Sequence, residues 1–301
     1  MSADTLDASP AQSTRWRDLT AIVVCTMAWG TTWFAITLQL GVVDPVISVV
    51  YRFTLAAVLL FAWCAITRAP VGMNRAQHLA ALGIGLFTFA VDYPLVYWAE
   101  ERVVSAVVAV VFAAMAFVNL ITFRIVFGQR APALAWGAAA LGILGVGILS
   151  WNEIVTAHMG ARALGGIALA FTGVVAASLG NVAAHRGELA GASVAASTAW
   201  AMAYGAALLA LFAFVTGRHW SFAPTLPYML SLLHLALVGS VIAFLLYYGL
   251  ARRRGYATAS YISALAPPVA MLMSTLSEHR TWQLTALFGV ALTLSCELLL
   301  L

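Results

Sequence analysis

The sequence contains no lysine, and charged residues of all kinds make up only 9% of its 301 residues. A water-soluble domain carries about 25% charged residues, so this chain has too few to cover the surface of a soluble globule. Hydrophobic residues make up 63% of the sequence, and the mean hydropathy is +0.96. The composition predicts an integral membrane protein whose apolar surface faces lipid or another helix.

The chain also lacks the motifs of metal, nucleotide and covalent chemistry. Its three cysteines lie in apolar stretches without a Cys-x-x-Cys spacing, so they predict neither a metal site nor a disulfide framework. No His-Glu-x-x-His, Gly-x-Gly-x-x-Gly or Walker pattern stands on a plausible loop. The arginines occur singly or as one triplet between apolar runs, which indicates membrane topology rather than nucleic-acid binding. We expect no cofactor, no metal and no nucleic-acid partner.

Apolar runs of roughly 20 residues, long enough to cross a bilayer, follow one another along the chain. They predict an all-α, polytopic membrane protein with ten transmembrane helices. These ten spans are 19–40, 45–67, 76–99, 103–127, 132–151, 162–185, 194–217, 228–251, 256–277 and 281–301. Residues 1–18 are polar and predict a disordered cytoplasmic tail rather than a cleaved signal peptide.

The distribution of arginine predicts the orientation of the chain. With the N-terminus in the cytoplasm, ten arginines fall on the inner side and four on the outer side, while Arg52 lies within a span. Cytoplasmic loops carry the excess of positive charge in membrane proteins. We therefore expect a multi-pass protein of the plasma membrane, the bacterial inner membrane, with both termini in the cytoplasm.

The sequence also repeats weakly at a distance of about 152 residues, with Gly137 falling against Gly289. The pattern of spans divides into five helices in 19–152 and five in 160–301. Because five is odd, the second half enters the membrane from the opposite side, which predicts an inverted 5+5 repeat. Transporters commonly have this architecture, with the substrate site near the midplane between the halves.

Short motifs in the chain resemble those of the drug/metabolite transporter (DMT) superfamily with two EamA-type repeats. They are Ala28-Trp29-Gly30 in span 1, Pro45 with Arg52-Phe53 in span 2, Ala264-Leu265-Ala266-Pro267 in span 9, and the turn at Glu278. Within that superfamily the chain most resembles the YddG-type aromatic amino-acid exporters. The resemblance covers 19–301 and implies that spans 1–4 and 6–9 enclose a central cavity, with spans 5 and 10 at the periphery. Met115-Ala116 departs from the pattern, because the family often has a proline in span 4.

Two of the charged residues inside predicted spans, Arg52 and Asp92, stand well away from the ends of their spans, where an isolated charge is costly. Arg52 and Asp92 each stand about seven residues, or ~10 Å, from the outer end of their helix. One hypothesis is that they pair with each other as a fixed ion pair that joins two helices. The other is that they bind the zwitterionic ends of a substrate.

Other polar and aromatic residues form stripes on the spans that the resemblance places around the cavity. Together with Arg52 and Asp92, these candidate substrate-binding residues are Trp29, Trp33, Tyr93, Tyr97, Trp98, Phe112, Asn119, Ser178, Asn181, His185, Tyr248, Tyr261 and Ser263. Contacts between helices, or an interfacial aromatic belt for Trp98, are the alternative interpretations. Pro94, Pro267 and Pro268 are expected to kink their helices.

These features favour a secondary transporter working by alternating access around a central cavity, rather than an enzyme. Its expected partners are the lipid bilayer and a small amphipathic solute, with aromatic or other neutral amino acids as the first choice. Export is the direction that the resemblance implies, and protons or the solute's own gradient are the alternative energy sources. A passive channel and an intramembrane enzyme acting on lipid-like substrates are the remaining alternatives.

Overall fold

The computed structural model describes residues 10–103, 105–149, 160–278, 288 and 291–292, and it contains no β-strand among them. Two stretches are π-helical, and we call them the first π segment (Gly85–Asp92) and the second π segment (Leu237–Ile242). The α-helices of the first half are α1 Pro10–Thr37, α2 Pro45–Ile66, α3 Arg75–Ile84, α4 Tyr93–Glu100, α5 Ser105–Phe112, α6 Met115–Phe127 and α7 Ala133–Leu149. Those of the second half are α8 Ala161–Leu189, α9 Val194–Val215, α10 Leu226–Ala236, α11 Ala243–Arg254, α12 Tyr256–Ala259 and α13 Ile262–Glu278.

Seven helical stretches are long and apolar enough to span a membrane, which confirms a polytopic membrane protein. They correspond to predicted spans 1–4 and 6–8. Predicted span 5 is the 17-residue helix α7, and predicted span 9 is divided into α12 and α13. Predicted span 10 lies outside the described residues apart from three positions, so the count of ten stays a prediction.

The helix boundaries follow from local capping chemistry. Asp44 precedes α2, and its Oδ1 accepts hydrogen bonds from the backbone N–H groups of Val46 and Ile47. Asn74 and Gln77 form a reciprocal capping box at the start of α3. Gly128 ends α6 in the left-handed conformation, at φ 67°, which glycine adopts without steric cost.

The first helix begins earlier than the sequence indicated. Residues 10–18, which were assigned to a disordered tail, form the first turns of α1. Asp18 is only 3% exposed, because Arg253 Nε and Arg254 Nε donate to its two carboxylate oxygens at 2.7 and 2.6 Å. This ion-paired cluster accounts for the order of a polar segment, and it brings the start of α1 and the end of α11 to one end of the bundle.

The two halves of the chain contain π segments at equivalent positions. Gly85 and Leu237, which begin these segments, are 152 residues apart, the distance of the weak sequence repeat. Each segment joins two α-helices of one span, α3 to α4 and α10 to α11. Wider π turns leave backbone groups outside the regular α-helical ladder and occur often at functional sites.

Close packing between the halves surrounds the middle of the bundle. The α2 helix packs against α9, α1 packs against α13, and α8 packs against α3, the first π segment and α4. Gly180 allows the close contact between α8 and the first π segment, because a Cβ atom at this position would lie 1.9 Å from Thr88 Oγ1. Small residues at helix crossings let membrane helices approach closely and gain van der Waals contact.

Candidate functional site

A cavity of about 100 Å³ lies between helices of both halves. Its walls come from α1, the first π segment, α4, α5 and α6 on one side and from α8, α11 and α13 on the other. Seven of the candidate substrate-binding residues line it: Trp29, Trp33, Asp92, Tyr93, Phe112, Asn181 and Ser263. A site between the halves agrees with the location that the repeat predicted, while the binding roles of these residues stay predictions.

Asp92 presents a buried carboxylate to the cavity. The residue is 5% exposed, and its Oδ1 atom has no hydrogen-bond partner among the described residues. The neighbouring helix α8 carries Gly173 beside it, where a Cβ atom would come within 2.8 Å of Oδ1. A buried carboxylate without a partner is costly, so the arrangement favours binding of a proton or a cationic group.

Arg52 is completely buried, and the predicted ion pair with Asp92 is not formed in the described part of the chain. Arg52 forms hydrogen bonds with the second π segment instead. Its Nε atom donates to Ser240 Oγ at 3.0 Å, and its Nη2 atom donates to the Gly239 carbonyl oxygen at 3.4 Å. The guanidinium carbon also lies 4.4 Å from the centroid of the Tyr93 ring. Arg52 is absent from the cavity wall and links the two halves.

Aromatic rings form most of the rest of the wall. The cavity is bordered by six of them: Trp29, Trp33, Tyr93, Phe112, Phe244 and Tyr247. The Trp29 Nε1 group donates to the Gly239 carbonyl oxygen at 3.3 Å, whereas the Nε1 donor of Trp33 is buried without a partner in the described residues. The cavity therefore combines a mainly apolar lining with three polar groups that have no partner among the described residues: the acceptor Asp92 Oδ1, the donor Trp33 Nε1 and the hydroxyl of Thr88, which can donate or accept.

A buried polar network closes one side of this region. Ser178 Oγ donates to Asn119 Oδ1 at 2.6 Å, and Asn119 Nδ2 donates to Ser260 Oγ. Asn181 Nδ2 donates to Tyr247 Oη at 2.9 Å, and the hydroxyls of Tyr247 and Ser260 lie 2.9 Å apart. The Ser260 proton goes to a backbone carbonyl, so Tyr247 is the donor in this last pair. Asn119 and Ser178 thus hold α6 and α8 to the turn before α13, as helix-joining contacts.

The remaining predicted site residues lie away from the cavity wall. Tyr97 is buried and donates to Gln39 Oε1, Trp98 stacks against the Arg218 guanidinium, and Tyr248 packs on Phe244 and Tyr247. His185 pairs with Glu188 Oε2 at 3.1 Å among the rings of Phe123, Phe127 and Tyr256. Tyr261 Oη donates to the Ala135 carbonyl oxygen at 2.6 Å, which ties the start of predicted span 9 to α7.

The predicted kinks coincide only in part with interruptions of the helices. Pro94 lies in the first turn of α4, directly after the first π segment, where a residue without an N–H group falls at a change of helix type. Pro267 and Pro268 lie within α13, which continues through both. The interruptions occur instead at Ser260–Tyr261 in span 9 and at Ala113–Ala114 in span 4.

Nine residues of the cavity wall were not among the candidate substrate-binding residues. These are Thr32, Ile36, Thr88, Val96, Met115, Ala177, Phe244, Tyr247 and Ala266. Most are apolar or small, and such residues are abundant throughout a membrane protein. A helical-stripe argument extended from Trp29 to Thr32 and Ile36, at spacings of three and seven, would have found part of α1.

Two adjacent segments of the chain, residues 16–151 and 164–301, each match the sequence profile of the EamA-like transporter family. Together they account for nearly the whole chain and correspond to its two halves. The predicted limits of the repeats, 19–152 and 160–301, lie within four residues of these matches.

Individual relatives agree with this match. The chain is 28% identical over 255 residues to the uncharacterized inner membrane transporter YedA of Escherichia coli strain K12. This alignment covers 85% of the present chain and 81% of YedA. It is 25% identical over 123 residues to the protein PagO of Salmonella typhimurium, 40% of each chain. One crystal structure superimposes with a TM-score of 0.75 over 94% of this chain and 95% of the other, at 19% identity, which shows a shared fold alone.

Proposed function

Because the chain belongs to the EamA-like transporter family, we propose that it is a secondary transporter that exports small amphipathic solutes, with aromatic or other neutral amino acids as its substrates. Transport would run by alternating access, with the two repeats moving about the cavity between them. In this proposal the chain lies in a bacterial inner membrane, with lipid around both repeats and both termini in the cytoplasm.

The single observation that carries this proposal is the composition of the cavity wall. Six aromatic rings, contributed by both halves, surround a space in which an acceptor on Asp92, a donor on Trp33 and the hydroxyl of Thr88 are unpaired among the described residues. Small-molecule sites commonly have such a mainly apolar wall with a few oriented polar groups. A solute with an apolar body and a compact polar end matches both features.

The cavity volume bears on the size of the solute. A cavity of about 150 Å³ accommodates a benzene molecule, and the present one is about 100 Å³. An aromatic amino acid therefore requires the halves to separate further during the transport cycle, whereas a smaller neutral amino acid needs less movement. The order of preference among amino acids tests this difference directly.

The experiment is transport by the purified chain in liposomes. Labelled phenylalanine, tryptophan, threonine and methionine are followed down their own gradients and in counterflow, with protein-free liposomes as the control. Saturable flux with counterflow is expected, and the ranking of the four gives the preference. Flux that does not saturate would instead identify a passive channel, and absence of flux for all four would remove the amino-acid assignment.

A matched pair of variants tests whether the cavity carries the flux. Trp33→Phe removes the unpaired Nε1 donor but keeps an aromatic ring, and we expect the apparent affinity to fall about tenfold or more, the usual effect of losing a hydrogen bond to a charged group. Trp63→Phe is the control, because Trp63 is 55% exposed on the outer surface of α2. If both substitutions changed the apparent affinity equally, the solute would not pass through this cavity.

A further inference from the structure

We propose that Asp92 is the exchange site of this transporter, occupied in turn by the ammonium group of the solute and by a proton. This inference rests on the proposed transport function and adds to it a substrate requirement and a coupling ion. It concerns Asp92 alone, since Arg52 does not line the cavity, and it makes the chain an antiporter of protons and solutes with a cationic amino group.

The first step of the argument is the position of the carboxylate. Asp92 lies on the cavity wall, is 95% buried, and has an Oδ1 atom without a hydrogen-bond partner among the described residues. Charged groups at this depth in a membrane protein are paired or belong to an ion or substrate path. In the described residues Asp92 has no ion pair, so the cavity itself must supply the neutralising group.

The second step concerns the groups around Asp92. Two titratable or charged side chains face it, Arg52 from α2 and the adjacent Tyr93. The α8 helix presents Gly173 and α5 presents Phe112, neither of which carries a charge or a donor. Arg52 attracts the carboxylate over a distance and stacks on Tyr93. Its Nε and Nη2 atoms donate to the second π segment, and its Nη1 atom has no hydrogen-bond partner among the described residues. No described side chain forms an ion pair with Asp92 or a hydrogen bond to its Oδ1 atom, so this atom is available to a ligand in the cavity.

The third step is the chemistry that fits the wall. An ammonium group is attracted both by a carboxylate and by the faces of aromatic rings, and cages of this composition bind organic cations. Trp33 Nε1 provides the complementary donor for an oxygen of the same solute. The site therefore selects a compact solute with an ammonium group and a hydrogen-bond acceptor, as in an α-amino acid, over a simple carboxylic acid.

Coupling follows from the cost of an empty site. When the solute leaves, the buried carboxylate takes a proton from water on that side, and an O–H bond forms at one carboxylate oxygen. After the site reorients, a new ammonium group displaces this proton to water on the other side. Each cycle moves one solute outward and one proton inward. Exchange of a zwitterionic amino acid therefore moves one positive charge inward, and exchange of a monocationic amine moves none.

The first test uses the full chain in liposomes loaded at acidic pH in neutral medium. We expect wild-type protein to accumulate labelled amino acid inside, above its external concentration, and to do so faster when the interior has a positive potential. Asp92→Asn, which keeps the shape but cannot exchange a proton, should lose this accumulation at least tenfold. Glu101→Gln, an exposed acid at the end of the same span, is the control and should match wild type.

The second test measures binding without transport. Thermal stabilisation of the detergent-solubilised protein is followed with phenethylamine, phenylalanine and 3-phenylpropionate. We expect the two ammonium compounds to stabilise wild type and to lose at least tenfold in affinity in Asp92→Asn, with 3-phenylpropionate inactive throughout.

The outcomes separate failure of this inference from failure of the proposed function. Absence of counterflow for every amino acid would overturn the transport proposal itself. Saturable counterflow together with no effect of the pH gradient, or accumulation driven by a sodium gradient instead, would overturn proton exchange at Asp92. Binding of 3-phenylpropionate as tight as that of phenethylamine would overturn the ammonium requirement, as would unchanged accumulation by Asp92→Asn.

Discussion

The guanidinium carbon of Arg52 lies 4.4 Å from the centroid of the Tyr93 ring, and Tyr93 lines the cavity while Arg52 does not. The positive charge is thus held behind an aromatic wall rather than within it. Its Nε donor is directed to Ser240 Oγ in the other half of the chain. The charged side chain that lines the cavity, among the described residues, is the carboxylate of Asp92.

We predict that Arg52 stabilises the contact between the halves, and that Arg52→Lys weakens it. Lysine keeps the positive charge but cannot form both the bond to Ser240 and the bond to Gly239 in the geometry of a guanidinium group. Loss of one or two hydrogen bonds to a charged group lowers the free energy of unfolding by about 1–3 kcal/mol. Thermal denaturation in detergent measures the change, with Arg68→Lys as control, because Arg68 is exposed and lies just after the end of the same helix. Equal melting temperatures for the two variants would contradict this role.

The sequence predicted the class of the protein and the positions of most helices, because each long apolar run has few ways to satisfy its backbone other than an α-helix. It also identified Trp33 and Asp92 on the cavity wall from their residue types. It could not predict the partners of Arg52, since Ser240 and Gly239 are nearly 190 residues away and have no distinctive pattern. The two π segments were not predicted from the sequence either.

The hydrogen-bond network around Asn119 gives a second prediction. Asn119→Ala removes the partner of Ser178 and one partner of Ser260, and it leaves the buried Ser178 hydroxyl without its hydrogen bond. We expect the free energy of unfolding to fall by about 1–3 kcal/mol, which is the usual cost of such groups. Thr122→Ala is the matched control on the same helix, because Thr122 Oγ1 bonds only to the Val118 carbonyl oxygen of its own helix. A larger effect of Thr122→Ala would show that the network between helices contributes little.

Close packing of α8 on the first π segment gives a third prediction. Gly180→Ala places a methyl group 1.9 Å from Thr88 Oγ1, so the two helices must separate or the threonine must move. We expect a lower melting temperature and a lower yield of folded protein. Gly165→Ala on the same helix meets nothing within 4 Å and should behave like wild type or melt higher, since alanine favours helix more than glycine does.

The double variant Gly180→Ala, Thr88→Ala tests the cause of that effect. Removing the threonine hydroxyl leaves the Thr88 Cβ atom at 3.1 Å from the new methyl group, a contact that a small shift relieves. We expect most of the lost stability to return. Failure of the second substitution to restore stability would show that the cost arises within α8 rather than at its contact with Thr88.

Ion pairs at the two ends of the bundle give the last prediction, which concerns alternating access. At one end Asp18 accepts hydrogen bonds from Arg253 and Arg254, and at the other Arg218 Nη1 donates to Asp44 Oδ2 at 2.8 Å. Each contact joins the first half of the chain to the second. The arginines are partly exposed, so each contact contributes only about 1 kcal/mol or less. A bias of this size changes the ratio of two conformations by up to about fivefold.

We therefore expect Asp18→Asn to open the cavity toward the end where Asp18 lies, and Asp44→Asn to open it toward the opposite end. Ser263→Cys on the cavity wall, in a chain whose three native cysteines are replaced, reports this through labelling by a membrane-impermeant maleimide added from one side at a time. Asp18→Asn should raise the labelling rate severalfold from its own side and lower it from the other, and Asp44→Asn should do the reverse. A rise from both sides in either variant would indicate general loosening of the helices, because a shift between two alternately open conformations cannot increase access at both ends.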